Sequence, residues 1–213
     1  MKGFKFKMKN LTIRLETEKD YKAVEDLTRE AFWNVYRPGC SEHYVLHVLR
    51  GDPDFVPELD LIMELDGKLI GQVIFMRAEI RSDDGRIIPI MTFGPIGIHP
   101  EYKRRGYGKI LLEHALRKAR DMGVGAVCIE GNIDFYGKCG FVVASTKGIH
   151  YYAEPRDEVV PYFLLRELRE GYLDGITGTY KTPSGYFADD ADVLEFDKGF
   201  SPKQKLKLPG QLF

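Results

Sequence analysis

Little in this chain is extreme, and each shortage removes a class of protein. Three cysteines, Cys40, Cys128 and Cys139, are an odd number at wide spacing. That suits reduced thiols and argues against a disulfide framework. No apolar run approaches the roughly 18 residues of a membrane-crossing helix, so no membrane partner is expected. The first residues, Met1 to Lys7, lack the apolar stretch of a signal peptide, and the expected location is the cytoplasm. Excess charge of either sign is also missing, with Lys+Arg 31 against Asp+Glu 32, which argues against a general nucleic-acid partner. No internal repeat or low-complexity segment is present. With 44% hydrophobic residues in a chain of 213, the composition indicates one soluble globular domain and room for an extension.

What is present centres on Thr92 to Lys109. It reads as a strand ending at His99–Pro100, a short basic turn, and a helix opening on Gly106 and Gly108. The first turn of a helix carries N–H groups without intrahelical partners and a partial positive charge, which together suit a phosphate. Gly106 and Gly108 clear side chains from those donors, while Lys103, Arg104, Arg105 and Lys109 add whole charges around them. A P-loop is excluded, because position 103 is not glycine and Gly108-Lys109 is followed by Ile110. A dinucleotide fingerprint wants glycine at position 111, where Leu111 stands, although Glu130 is near the distance of its acid. A nicotinamide-dependent oxidoreductase therefore stays open only as a weaker alternative.

Within the strand, Pro95 has no N–H for a neighbour, and Gly94 has no side chain, so a bulge or parting is expected there. Beyond it, the backbone of Ile96, Gly97 and Ile98 is free to pair with an extended ligand arm as a strand would. Pyrophosphate at the helix and a peptide-like arm along the strand together describe coenzyme A.

Lys103-Arg104-Arg105-Gly106-Tyr107-Gly108 resembles the Gln/Arg-x-x-Gly-x-Gly/Ala turn of the GNAT superfamily of acetyl-CoA-dependent N-acetyltransferases, with lysine at the first place. Downstream, Tyr136-Gly137-Lys138-Cys139-Gly140-Phe141 resembles that superfamily's Tyr-x-x-x-Gly-Phe element. The resemblance covers roughly Leu11 to Phe187. It implies an α/β (α+β) fold: a central mixed, mostly antiparallel twisted sheet, helices on both faces, and a splayed parallel strand pair at the cofactor site. The expected domain is 1–187, with 188–213 a surface-running extension.

Patterning supports those elements. Leu11, Ile13 and Leu15 alternate as an entry strand, and Thr17 is the expected cap of a helix carrying Val24, Leu27, Ala31 and Phe32 inward. Arg37-Pro38-Gly39 breaks it. Ser41 then caps a shorter helix with Tyr44, Val45, Val48 and Leu49 inward. Its His43 and His47 stand one turn apart, but with no third ligand evident they read as surface histidines, and no metal is expected. Asp66-Gly67 marks a hairpin into a strand from Leu69 towards Arg81, and Ser82 to Gly85 turns into the strand Ile87 to Ile98. Leu111, Leu112, Ala115, Leu116 and Ala119 share one helix face, Gly123 ends that helix, and Ala126 to Glu130 is a buried parallel strand. Val159 to Leu168 reads as a further strand, and Gly171 to Phe187 as loop with short strands.

Acetyl transfer to an amine needs a base, a polarised carbonyl and a proton for the departing thiolate. The resemblance places the general acid at Tyr136, and a phenol of pKa about 10 shares a proton range with an alkyl thiol. Glu130, at a strand end, is the best placed base, with its alternative a plain surface carboxylate. Asn132 either bonds the cofactor arm or caps the following turn. Phe135 and Tyr107 complete the cofactor contacts, Phe135 doubling as a core candidate, while Cys139 reads as a small buried thiol. By analogy Glu30, Trp33, Tyr36 and residues near Tyr172 line the acceptor cleft. The implied activity is N-acetyl transfer from acetyl-CoA to a primary amine of a small molecule or peptide by direct attack in a ternary complex. A silent coenzyme A sensor is the alternative, and homodimerisation is left open.

Overall fold

The computed structural model describes residues 10–212. The reading of Met1 to Lys7 lies outside them. In chain order the elements are β1 (Leu11–Leu15), α1 (Tyr21–Phe32), α2 (Glu42–Leu49), β2 (Leu61–Leu65), β3 (Lys68–Ser82), β4 (Ile87–Ile98), α3 (Tyr107–Asp121), β5 (Ala126–Glu130), α4 (Ile133–Tyr136), β6 (Val142–Val143), β7 (Ile149–Tyr151), β8 (Phe163–Glu167), β9 (Gly178–Tyr180) and α5 (Asp190–Asp197). None of these helices is long and apolar enough to cross a membrane.

The strands form one mixed sheet in the order β1-β2-β3-β4-β5-β8-β6, with β9 pairing the far end of β3 and β7 pairing β9. Pairing is antiparallel except for β4 with β5 and β7 with β9. The β2–β3 hairpin turns on Asp66 (φ 53°) and Gly67 (φ 79°), the two left-handed positions that match strand twist in a two-residue loop.

Alternation along the strands assigns the faces. Val73, Phe75, Met91 and Phe93 meet Leu111, Leu112, Ala115, Leu116 and Ala119 of α3 on one face. Ile62, Ile74 and Met76 meet Val24 of α1 and Val45, Leu46 and Leu49 of α2 on the other. Each fully buried leucine here stabilises the fold by about 1.5–3 kcal/mol.

Several local readings change. Asp20, not Thr17, sits at the N-cap of α1; its carboxylate instead accepts the backbone and hydroxyl donors of Thr17 at 2.9 and 2.7 Å and a fork from Arg14. In α2 the inward positions are His43, Val45, Leu46 and Leu49, whereas Val48 is exposed and Tyr44 half-exposed. His43 is fully buried, not a surface residue, because α5 packs over it; His47 does stay partly exposed and meets Glu25 Oε1 at 2.9 Å. The strand foreseen from Val159 begins only at Phe163, after Pro161, which has no N–H to offer a ladder. The final stretch is more than a trailing tail, since it contains α5 and hydrogen-bonds back to α1.

Candidate active site

The site grows from an interruption in β4. Phe75 pairs with Phe93 and Val73 with Ile96, so Gly94 and Pro95 together stand opposite Ile74 in a bulge. On its other edge β4 pairs with β5 at Met91↔Val127 alone, and the two strands part beyond it. His99 N–H donates back to Ile70 O at 2.9 Å. Strand alternation then turns the N–H and C=O of Ile98 and Ile96 into the gap and those of Gly97 towards β3. Gly97 lies under α1, where a Cβ would make ordinary contacts at 3.4 Å with Ala31 Cβ and 3.5 Å with Phe32 Cε2.

Next to this open edge, α3 begins. Arg104 (φ 59°) and Gly106 (φ 86°) are left-handed, which winds the turn tightly before the helix. Among the described residues, no protein acceptor takes the backbone N–H of Arg104, Arg105, Gly106, Tyr107, Gly108 or Lys109; the first satisfied donor is Ile110, bonded to Gly106 O at 3.1 Å. Such a run of open donors at a helix N-terminus forms a cradle with the chemistry to hold an anion. A Cβ on Gly106 would meet nothing within 4 Å, and one on Gly108 would lie 3.5 Å from the Phe135 ring and 3.6 Å from Ile98. Arg104, Arg105 and Lys109 are exposed around the cradle, and a groove of about 420 Å³ lined by Gly106, Lys109, Ile110, Glu113 and Arg117 continues along α3. Lys103 is different. Its ammonium donates to Ala31 O at 2.6 Å, at the carbonyl end of α1, and its N–H goes to Pro100 O. The negative end of a helix dipole has claimed that charge, so its side chain is engaged away from the cradle.

Across the gap, β5 leads into α4. Asn132 Oδ1 accepts Asp134 N–H at 2.8 Å and caps α4, one of the two roles expected of it. Phe135 is 38% exposed, so it is not core; its ring covers Gly108 instead. Tyr136 is wedged among Phe93, Phe135 and Phe141, with ring centroids at 5.9, 4.9 and 5.6 Å. Its ring lies directly on Gly131, where a Cβ would come within 2.7 Å of Cδ2 and closer still to Cε2. Burial pushes the phenol's pKa well above its ordinary value, with lesser contributions from Tyr36 and Cys139. Cys139 is buried and burial raises its thiol as well.

Glu130 ends β5 on the opposite face. Its Oε1 accepts from Thr182 Oγ1 at 2.6 Å and from Tyr151 Oη at 3.0 Å, and those two hydroxyls lie 3.0 Å apart. Oε2 has no protein partner among the described residues. Tyr186 closes the same region: its ring approaches within 3.9 Å of where a Gly94 Cβ would stand, and its buried hydroxyl has no protein partner among the described residues. Gly131, Tyr151, Thr182 and Tyr186 were not singled out by sequence, because their strands and turns are too short to carry a pattern. Tyr172 lies at the wrong end for the acceptor cleft, since its ring covers Gly125 and its hydroxyl bonds Pro89 O at 2.6 Å. Glu30 and Trp33 are held by Lys203 and Gln204 O, at 2.8 and 2.9 Å. Tyr36 lies against Phe32, with ring centroids 6.1 Å apart and the planes tilted by 39°.

Known proteins place this geometry. YhbS, a GNAT family N-acetyltransferase from Escherichia coli crystallised with CoA, shares the fold with a TM-score of 0.70 at 21% identity, over 83% of this chain and 91% of that one. A GNAT family acetyltransferase from Brucella melitensis in complex with acetyl-CoA superposes with a TM-score of 0.66 at 20% identity, over 84% and 99%. The uncharacterized N-acetyltransferase YjhQ of Escherichia coli K12 is 30% identical over 86 residues, 40% of this chain and 46% of that protein, so the match spans under half of that relative. The family model described as "Acetyltransferase (GNAT) family" matches residues 21–141, more than half of the sequence, and the chain belongs to that family.

Proposed function

We propose that this protein transfers an acetyl group from acetyl-CoA to a primary amine of a small molecule or peptide, by direct attack in a ternary complex. The observation that carries the reading is the run of free N–H donors from Arg104 to Lys109 beside the open edge of β4. The donor set fits coenzyme A: the cradle, with Arg104, Arg105 and Lys109, would hold the pyrophosphate, and Ile96 and Ile98 would pair with the amides of the arm. Gly108 and Phe135 would flank that arm. When bound, acetyl-CoA supplies an acetyl group activated as a thioester.

The chain's own groups then manage protons. Glu130 Oε2 takes a proton from the acceptor ammonium, directly or through a water, while Tyr151 and Thr182 hold Oε1 and fix the carboxylate's direction. Tyr136 keeps its proton through neutral pH because burial disfavours the phenolate. It offers that proton to the departing sulfur, whose own affinity for protons rises in the same dry surroundings. Residues 1–187 form the catalytic domain in this reading, and 188–213 an extension packed on it.

The test is thiol release from acetyl-CoA across a panel of primary amines, for wild type, Tyr136→Phe and Glu130→Gln. Wild type releases thiol with at least one amine class, and Tyr136→Phe lowers the rate by about 10²–10⁴ while acetyl-CoA still binds. Binding without release for any amine would favour a coenzyme A sensor in place of an enzyme.

A further inference from the structure

Beyond Phe187 the chain returns to the loop between α1 and α2 and binds it along its length. Asp197, at the end of α5, forks onto Arg29 at 2.6 and 3.2 Å, and Arg29 Nη1 donates to Ser201 O at 3.0 Å. Asp197 also stands 3.2 Å from His43 Nε2, whose ring packs between Phe196 and Phe200 with centroids 5.5 and 5.0 Å away. From there residues 201–212 run beside the loop. Trp33 Nε1 donates to Gln204 O at 2.9 Å, and Leu212 N–H donates to Tyr36 O at 2.8 Å.

Asn34 is the point where the two segments are tied. It is left-handed (φ 58°), and its N–H donates to Gly39 O at 2.8 Å. Its Oδ1 accepts the N–H groups of Gly39 and Leu206 at 2.8 and 3.0 Å. Nδ2 donates to Gln204 O at 3.1 Å, and its C=O accepts from Gln211 Nε2 at 3.0 Å. Every hydrogen-bonding group of this residue is used, within the loop or on the C-terminal segment.

The held loop leads to the site. Tyr36, 46% exposed, is not anchored by core burial. It packs at a tilt against Phe32, and Phe32 covers Gly97 in the stretch of β4 that faces the gap. We propose that Asn34 is a positioning residue of the ligand cleft, tying residues 201–212 to the 33–40 loop and thereby holding Tyr36 and Phe32 beside the cofactor arm and Tyr136. The C-terminal segment, outside the family-matched residues, is then a working part of the site. This rests on the acetyl-CoA reading above.

Trp33 is the chain's one tryptophan, so its emission and its quenching by acrylamide report the tie. Three variants are compared with wild type in that assay and in calorimetric titration with acetyl-CoA. Asn34→Gly keeps the left-handed backbone and removes the side-chain bonds. Asn34→Asp keeps the acceptor oxygen and loses the Nδ2 donor. Gln211→Ala acts from outside the cleft. Asn34→Gly is expected to raise Trp33 quenching and to weaken acetyl-CoA binding about tenfold, since three side-chain hydrogen bonds are lost at once. Asn34→Asp recovers part of both losses, and Gln211→Ala shifts both in the same direction by less. Wild-type binding with acetyl-CoA affinity unchanged in Asn34→Gly and Gln211→Ala, or with Trp33 quenching unchanged, overturns this inference alone. A wild type that binds no acetyl-CoA overturns the cofactor reading and this one with it. If Asn34→Gly does not fold, Gln211→Ala, at a half-exposed position outside the sheet and helices, decides the matter by itself.

Discussion

Gly131→Ala tests whether the placement of Tyr136 carries catalysis. The backbone at Gly131 is not left-handed, so alanine is tolerated there conformationally. The added methyl, however, would stand 2.7 Å from Tyr136 Cδ2 and nearer to Cε2, against an ordinary carbon contact of about 3.5–4.0 Å. The ring must retreat by roughly 1 Å, and Phe93, Phe135 and Phe141 already occupy its other sides. A displacement of that size at a proton donor costs about 10²-fold in rate, which is about 2.7 kcal/mol of barrier. Overpacking also removes about 1–3 kcal/mol of stability, a fall in Tm of roughly 2–12 °C for a chain of this size. The proposed acetyl-CoA site lies mainly at the start of α3, so the dissociation constant should change less than about threefold in calorimetry. The assay is thiol release with the best amine, with Tyr136→Phe as the reference. Unchanged turnover in Gly131→Ala, with a crystal structure showing the ring displaced, would refute the role given to Tyr136.

Other outcomes follow from the same structure. Arg105→Glu with Gly108→Glu places acid at the cradle and should weaken acetyl-CoA at least tenfold, about 1.4 kcal/mol, by calorimetry; equal affinity would mean the pyrophosphate lies elsewhere. Leu112→Ala empties a fully buried position under α3 and should cost about 2–5 kcal/mol in urea denaturation with the urea dependence unchanged. His43 is held neutral, its pKa lowered from 6.5 to about 4 by burial and by Arg29, against the opposing pull of Asp197 and Glu25. Its folded pKa lies below its unfolded one, so its contribution is complete above pH 6.5 and is lost as pH falls towards 4, on the order of 3 kcal/mol. Asp197, also lowered, acts in the same direction at more acid pH. Thermal melts from pH 7 to 4 should show that decline, and it should be smaller in His43→Leu.

Much of this site was legible because its chemistry is local in sequence. Gly106 and Gly108, Pro95 in β4 and the run Ala126–Glu130 announce a helix start, a bulge and a parallel strand within 40 residues, and each came out where its pattern placed it. What stayed hidden depends on distant partners. Lys103 looks like a phosphate ligand until α1 brings Ala31 O to it. His43 looks like a surface residue until α5 arrives from more than 140 positions away to cover it. Glu130 was identifiable as an acid at a strand end, but Tyr151 and Thr182, which orient it, lie on or beside strands of three residues that no periodicity reveals. Tyr172 was placed in the cleft by analogy alone, and it packs instead on Gly125, at the start of β5.

The central claim is that the splayed β4–β5 pair and the start of α3 hold acetyl-CoA, and calorimetric titration of the purified protein with acetyl-CoA, with NAD(H) in parallel, tests it most directly. Saturable one-site binding of acetyl-CoA with no heat from NAD(H) is the predicted result. Binding of NAD(H) in place of acetyl-CoA would contradict it.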